Sequence, residues 1–403
     1  MPEQPPGPAG AGGAAPRRRL GLIVNPVAGI GGRVGLKGSD GEDVLRRALE
    51  LGAVREAPHR ARRALARLAH LRDRLQVLTY PGEMGEDEAQ ATGFGDVVVV
   101  GRPADSGALK VGDTVLPHTT AADTEAAARA LADRGVDLLL FAGGDGTARN
   151  VFNAVGERVP VVGVPAGVKI HSAVYATTPA AAGDLAALYL GAERGMRLRE
   201  AEVMDIDEEA FRADRVSARL YGYLLVPYER TLLQGAKAGG VAGDEAALAG
   251  IASDVINGML PGTLYVLGPG TTTRKIAELM GLPKTLLGVD VVRDRELVAA
   301  DVDERRLLGL VRGAPARIVV TVIGGQGHIF GRGNQQISAD VIRAVGRENV
   351  IVVATETKIL SLGGRPLLVD TGDEDLDREL AGYVPVVTSL RRRLVYAVVA
   401  GSG

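Results

Sequence analysis

Short apolar runs alternate with longer stretches of helical period along the first half of the chain, beginning at Leu20. Runs rich in Val, Ile and Leu that are separated by amphipathic segments are typical of parallel strands joined by crossover helices. The pattern predicts strands at 20–24, 75–79, 96–100, 137–141 and 160–164, and helices at 42–70 and 121–134. Because these strands are apolar on both faces, we expect a parallel sheet covered on both sides, with ligands at its carboxyl edge.

The pattern changes after residue 197, where 204–207 and 218–226 alternate between polar and apolar side chains as antiparallel strands do. Further strands are predicted at 263–267, 286–292, 316–323, 350–354 and 392–399, with a helix at 272–280. The expected fold class is α/β: a disordered tail (1–19), a Rossmann-like parallel-sheet nucleotide domain (20–196) and a second, α+β or β-rich, acceptor-binding domain (197–403). The active site is expected in the cleft between the two domains.

The composition narrows the classes of ligand. A net charge of −2 and an aromatic content of 3% offer neither a basic surface nor a stacking platform for nucleic acid. Cysteine is absent, which excludes disulfides and thiolate chemistry. No apolar run approaches the roughly 20 residues that cross a bilayer. We therefore expect a cytoplasmic protein that binds small-molecule nucleotides, with neither membrane nor nucleic acid as partner, and we leave a homo-oligomer open.

The sequence Gly-Gly-Asp-Gly-Thr at 143–147 directly follows the predicted strand at 137–141. Glycines at a strand end let the backbone approach a ligand, and the N–H groups that open the next helix attract phosphate. The candidate phosphate ligands are Gly143, Gly144, Gly146 and Thr147, and the candidate catalytic group is the carboxylate of Asp145. The alternative is a tight turn in which Asp145 only caps a helix that starts near Thr147.

Two other turns of the first domain also follow predicted strands. Asn25 and Gly29 belong to a loop that is able to close on phosphate, although Asn-Pro and Gly pairs are also ordinary turn formers. After the strand at 160–164, Lys169 is a candidate phosphate ligand, and His171 and Ser172 are candidate acceptor ligands. An isolated histidine is more often structural, so that alternative stays open.

A further glycine-rich turn, Gly-Pro-Gly-Thr-Thr at 268–272, again lies between a predicted strand and a helix. Its candidate phosphate ligands are Gly268, Gly270, Thr271 and Thr272, because glycine turns of this kind form anion-binding concavities. The alternative is that the two threonines cap the helix and do nothing else.

The most unusual string of the chain lies at 323–338 and combines glycines with polar side chains. Arg332 offers a planar fork for phosphate or carboxylate, while Asn334, Gln335 and Gln336 are suited to a ribose, a nicotinamide or a base edge. These four residues are candidate acceptor ligands, with a plain surface loop as the alternative. Carboxylates near 202–208 and 290–296 have no spacing typical of a metal site, so the metal ligands are unidentified.

GGDGT after a strand, together with Asn-Pro-Val-Ala-Gly at 25–29, resembles the superfamily of NAD kinases and diacylglycerol or sphingosine-type lipid kinases. More specifically, the chain is similar to the divergent ATP-NAD kinase-like branch that includes the acetoin-catabolism X protein. The strings that carry the resemblance lie at 21–26, 36–38, 81–85, 143–147, 163–172, 268–272, 324–327 and 331–336, which is nearly the whole chain past the tail.

The resemblance implies transfer of a phosphoryl group from ATP or polyphosphate to a hydroxyl, with Mg²⁺ as cofactor; in NAD kinases the acceptor is the adenosine-ribose 2′-hydroxyl of NAD. It assigns Asp145 to acceptor activation or to metal-phosphate positioning, and charge neutralisation to glycine N–H groups, Lys169 and Arg332. The Asn-acid pair of typical NAD kinases has no counterpart downstream of GGDGT, so the acceptor stays open. A kinase for another small polar acceptor such as a sugar, and a non-catalytic nucleotide sensor, are the alternatives.

Overall fold

The computed structural model describes residues 17–36, 41–104, 108–111, 114–117, 119–168, 170–192, 196–206, 218–229, 231–233, 245–323 and 325–401. Its strands are β1 (Arg18–Val24), β2 (Leu75–Thr79), β3 (Val97–Val99), β4 (Ala108–Val111), β5 (Thr114–Pro117), β6 (Leu138–Gly143), β7 (Val161–Pro165), β8 (Leu198–Ile206), β9 (Ala218–Pro227), β10 (Leu264–Leu267), β11 (Asp290–Arg293), β12 (Glu296–Ala299), β13 (Ala316–Thr321), β14 (His328–Phe330), β15 (Val350–Val353), β16 (Leu367–Val369), β17 (Gly382–Ser389) and β18 (Arg392–Ala400). Its helices are α1 (Glu42–Glu50), α2 (Glu56–Arg67), α3 (Glu86–Ala91), α4 (Ala121–Asp133), α5 (Asp145–Val155), α6 (Pro179–Gly191), α7 (Glu245–Asn257), α8 (Thr271–Leu279), α9 (Glu304–Val311), α10 (Ala339–Val345), α11 (Glu356–Leu360) and α12 (Glu374–Leu380). Within these described residues, no helix is long and apolar enough to cross a membrane.

The first sheet is parallel throughout, with the strand order β3-β2-β1-β6-β7. Helix α2 packs beside α6 and helix α4 packs beside α5, and both pairs contact the sheet. The side chains of β6 and β7 are buried along their whole length, as the continuous apolar runs predict. The predicted parallel-sheet domain is therefore confirmed.

The strand order places three of the predicted turns next to one another. Strand β6 pairs with β1 on one side and with β7 on the other, and all three strands run in the same direction. Their carboxyl ends therefore share one edge of the sheet. The turns at Asn25, at GGDGT and after Pro165 meet at that edge.

The alternating segments after residue 197 form an antiparallel hairpin of β8 and β9, as predicted. Its inward side chains belong to the same hydrophobic core as the first sheet; these are Ala201, Val203, Leu224 and Val226. The hairpin thus packs on the first domain, and the boundary at 196/197 remains a prediction.

The second sheet is mixed and has nine strands in the order β12-β11-β10-β13-β15-β17-β18-β16-β14. Strands β10, β13 and β15 are parallel neighbours, whereas β11 and β12 add to the edge in antiparallel fashion. Helices α7 and α8 contribute Ile251 and Ile276 to one core of this domain, and α9 and α10 contribute Leu307 and Val341 to another. This arrangement confirms a second, mixed-sheet domain.

The single helix expected at 42–70 is wrong. The helix α1 ends at Glu50, the chain turns at Gly52, where φ is 80°, and α2 begins at Glu56. The N–H of Gly52 donates to the Leu49 carbonyl at 2.9 Å, and this turn satisfies the end of α1. Helical periodicity continues on both sides of the turn, so the periodic pattern alone did not reveal the break.

Helix α3 contains a buried acid that should make stability depend on pH. The Glu88 side chain is inaccessible to solvent, its Oε2 lacks a hydrogen-bond partner among the described residues, and Arg62 reaches Oε1 only at 3.4 Å. Burial raises the pKa of Glu88 to about 7, above the ordinary 4.5. The protonated carboxyl is therefore the form that stabilises the fold. Its contribution to the free energy of unfolding is fully present below pH 4.5 and is lost as the pH rises through 7.

We expect Glu88→Gln, which keeps the neutral shape at every pH, to raise the free energy of unfolding at pH 8 by up to about 3 kcal/mol. At pH 5 the variant and the parent should differ little. Thermal unfolding at both pH values measures the difference, and Glu157→Gln, at an exposed glutamate, is the control. An equal gain at both pH values would contradict an ionisation effect.

Candidate functional site

The turns after β1, β6 and β7 contact one another through their glycines and small side chains. Asn25 Nδ2 donates to Thr147 Oγ1 at 3.1 Å, which joins the first turn to the GGDGT turn. Gly29 has φ of 78°, and a Cβ there would collide with the carbonyl oxygen of Ala166. A Cβ on Gly144 would lie 3.1 Å from Gly167 Cα. The glycines are therefore required where the three turns pack backbone against backbone.

The helix after GGDGT begins at Asp145, two residues earlier than predicted, with Gly144 at the N-cap and no side-chain cap. The interpretation of Asp145 as a cap is therefore wrong. The N–H groups of the first turn of α5 have no intrahelical partner, and Gly146 has open space where a Cβ would lie. This helix terminus has the backbone donors and the dipole that favour an anion.

The carboxylate of Asp145 is buried and points to the turn after β7. Its Oδ1 accepts hydrogen bonds from the N–H and the hydroxyl of Ser172, at 2.9 and 2.6 Å. Its Oδ2 accepts the N–H of His171 at 2.8 Å and lies 3.2 Å from Nδ1 of the same residue. The structure therefore brings Asp145, His171 and Ser172 together, as one hydrogen-bonded unit.

Two neighbouring contacts hold this unit in place. Ser172 Oγ accepts the N–H of Met204 at 2.9 Å, which ties the turn to β8. The hydroxyl of Tyr175 donates to the carbonyl of Gly144 at 2.5 Å. Lys169, the predicted phosphate ligand of this turn, lies outside the described residues.

The glycine-rich segment of the second domain, residues 325–338, crosses to the first domain and contacts the turn after β7. Gln326 Nε2 donates to the Ile170 carbonyl at 2.9 Å, and Gln335 Nε2 donates to the Val168 carbonyl at 2.9 Å. The N–H of Gly333 reaches the same Val168 oxygen at 3.0 Å. This crossing places Gln335 and its neighbours close to the Asp145 unit.

The remaining residues predicted in this segment are buried within it. Asn334 accepts the N–H of Gly331 at 3.0 Å and donates to the Ile329 carbonyl at 2.8 Å, so its amide holds the segment's own shape. Gln336 and Arg332 are also buried. A plain surface loop is excluded by this burial, while acceptor binding by these residues remains a prediction.

A buried ionic cluster lies where this segment meets the first domain. Asp370, which follows β16, accepts hydrogen bonds from Arg60 at 2.7 Å and from Arg63 at 3.3 Å, both on α2. Burial would raise the pKa of Asp370, but the guanidinium groups of Arg60, Arg63 and Arg332 outweigh it and hold that pKa below the usual range. Burial lowers the pKa of Arg332 to about 10. Burial and the positive charge of Arg332 lower the pKa of His328 to about 3.

The Gly-Pro-Gly-Thr-Thr turn lies at the start of α8, where Gly270 is the N-cap and no side chain caps the helix. The interpretation of these threonines as caps is therefore wrong. The Thr273 hydroxyl donates back to the carbonyls of Gly268 and Gly270 at 2.6 and 2.9 Å. Lys358 Nζ on α11 donates to Thr272 Oγ1 at 3.1 Å. This lysine was missed because only the fold brings α11 to the turn.

The side chains that the structure describes do not form a Mg²⁺ site of their own. Among the described residues no group of three or more His, Asp or Glu side chains is arranged to hold a metal ion. Both oxygens of Asp145 are already occupied by contacts with His171 and Ser172. Asp145, His171 and Ser172 therefore do not fit a resident ion.

Comparison with known families covers both domains. The model of the ATP-NAD kinase N-terminal domain matches residues 20–193, and the model of the ATP-NAD kinase C-terminal domain matches residues 260–398. The first match contains the Asp145 unit, and the second contains the GPGTT turn and the segment 325–338. No curated protein and no solved structure gives a significant match.

Proposed function

Because the chain belongs to the ATP-NAD kinase family, we propose that it transfers a phosphoryl group from ATP or polyphosphate to the adenosine-ribose 2′-hydroxyl of NAD, which would supply NADP. The observation that carries the proposal is the Asp145 unit. It sets a carboxylate and the N-terminus of α5 at the carboxyl edge of a parallel sheet, where this fold class binds nucleotides. Mg²⁺ would enter with the phosphates of the donor.

In this proposal the N–H groups of Gly146 and Thr147 neutralise the transferred phosphate, because the first turn of α5 leaves them without intrahelical partners. Asp145 accepts the proton of the acceptor hydroxyl. The contact from Oδ2 to His171 Nδ1 is its longest, at 3.2 Å, so that contact is the first to be exchanged for the substrate hydroxyl. Phosphoryl transfer has a loose transition state, so alignment and charge neutralisation supply most of the rate.

One observation favours a second candidate, a nucleotide sensor without turnover. Each Asp145 oxygen already makes two contacts inside the protein. A carboxylate with this many partners is suited to fixing the turn at His171 and Ser172 rather than to exchanging protons. Binding of nucleotide would then order the turn with no group transferred.

An acceptor panel tests the two candidates. The purified full chain is incubated with Mg²⁺ and labelled ATP or polyphosphate against NAD, NADH, sugars and diacylglycerol, with a reaction lacking acceptor as control. We expect label in NADP alone, above the control. Transfer of label to a sugar would mean that a sugar, and not NAD, is the acceptor. Nucleotide binding without transfer to any acceptor would favour the sensor.

A further inference from the structure

Two buried side chains of the second domain bind the same backbone oxygen of the first domain. Arg332 Nη2 donates to the Thr177 carbonyl at 3.0 Å, and His328 Nε2 lies 3.1 Å from that oxygen. The two nitrogens are therefore within about 6 Å of each other, and the two side chains form one polar cluster. We refer to His328 and Arg332 as the 328/332 pair.

The 328/332 pair has hydrogen-bonding capacity that the protein does not use. In the described part of the chain, Arg332 Nε and Nη1 and His328 Nδ1 have no hydrogen-bond partner. Arg332 is only 4% exposed and His328 only 1%, so bulk water does not solvate these atoms. Leaving a buried charged donor unpaired is among the costliest arrangements in a protein interior.

The two acids that act electrostatically on Arg332 are both bonded to other groups. Asp370 accepts from Arg60 and Arg63, and Asp145 accepts from the residues of the turn after β7. Neither carboxylate lies within hydrogen-bonding distance of Arg332. Arg60 and Arg63 also pair with Glu56 and Glu374, at 3.8 and 3.3 Å. Arg332 has no carboxylate partner among the described residues, so an anion bound beside it would neutralise its buried charge.

The histidine adds a preference for one kind of anion. Because Nε2 faces a carbonyl oxygen, it carries the ring hydrogen, and Nδ1 of the neutral ring is an acceptor. The two unpaired nitrogens of the Arg332 guanidinium donate to phosphate oxygens, and Nδ1 of the neutral His328 ring accepts a hydroxyl. This set of groups matches a phosphate that also carries a hydroxyl, such as hydrogenphosphate. Sulfate lacks that hydroxyl near neutral pH.

We propose that the 328/332 pair is a phosphate-binding site between the two domains, in which Arg332 donates to phosphate oxygens and His328 accepts from a phosphate hydroxyl. This proposal rests on the proposed function only in attributing that phosphate to the terminal phosphate of the nucleotide donor, the one that can carry a hydroxyl. The site is distinct from the N-terminus of α5, since its donors belong to the second domain.

Inorganic phosphate is the probe. We expect thermal unfolding of the full chain at pH 7.5 to shift upward by about 2–4 °C at a phosphate concentration roughly tenfold above Kd, relative to chloride at equal ionic strength. Sulfate should give a smaller shift. In Arg332→Gln the phosphate shift should fall by at least half, whereas the control Arg347→Gln should retain it, because Arg347 also donates to a carbonyl but is exposed.

Three results would overturn the proposal: no phosphate shift in the parent protein, an undiminished shift in Arg332→Gln, or an equal loss in Arg347→Gln. A purely structural arginine would lower the unfolding temperature in Arg332→Gln without changing the phosphate shift. If that variant does not fold, Arg332→Lys keeps the charge with fewer directed donors, and its shift should still be reduced. The acceptor panel is independent of this test, so failure of transfer leaves the phosphate result standing.

Discussion

Replacing Asp145 with asparagine is expected to lower the turnover number for phosphoryl transfer by about 10²- to 10⁴-fold, the range that a positioned general base contributes. The change removes the charge and turns one acceptor oxygen into a donor. One of the N–H groups of His171 and Ser172 would then face an NH₂ group in a buried site. Turnover should therefore fall further than nucleotide affinity.

The matched control is Asp303→Asn, because Asp303 also stands at a helix start and accepts a backbone N–H, that of Arg306. Asparagine caps helices about as well as aspartate, so this variant should keep its activity and its unfolding temperature. Turnover and nucleotide binding are measured on the same preparations. Full turnover in Asp145→Asn would show that the carboxylate only fixes the turn after β7.

The largest effect on stability is expected at Asp370. Asp370→Asn leaves Arg60 and Arg63 buried or half-buried without their shared counter-ion, and breaking a buried pair in this way costs about 3–5 kcal/mol of unfolding free energy. The pKa of Asp370 in the folded state lies below the ordinary 3.8. The ion pairs of Asp370 therefore contribute fully to the free energy of unfolding above pH 3.8, and this contribution is lost as the pH falls through the folded-state pKa.

Urea denaturation at pH 7 measures this loss. Asp133→Asn is the control, since Asp133 pairs with Arg158 at 2.9 Å while 67% of its side chain is exposed, and it should change the unfolding free energy by less than about 1 kcal/mol. A loss below about 1 kcal/mol in Asp370→Asn as well would mean that solvent reaches the ionic cluster.

The sequence was sufficient to predict that the three turns of the first domain lie next to one another. Each turn follows an apolar strand, and parallel strands bring their carboxyl ends to one edge. The structure then shows which turns touch, because β6 lies between β1 and β7 and runs parallel to both. Local pattern and sheet geometry were sufficient here.

The partners of Asp145 could not be predicted in the same way. His171 lies 26 residues further along the chain, and its N–H reaches the carboxylate only because the turn after β7 folds back over the start of α5. The contact from Arg332 to Thr177 spans 155 residues and crosses between domains. Sequence chemistry identified both residues as candidates, but the direction of each side chain depends on tertiary packing.

The contact between the segment 325–338 and the turn after β7 also has a consequence for how this protein can vary. Three of its donors are the side chains of Gln326, Arg332 and Gln335, and a fourth is the N–H of Gly333. The acceptors of these four contacts are main-chain oxygens of residues 168, 170 and 177. A main-chain oxygen stays in place when its own side chain is replaced, but a donor is lost with its side chain. Substitutions should therefore accumulate unequally across this interface: freely on the first-domain side wherever the backbone path is kept, and sparsely on the second-domain side.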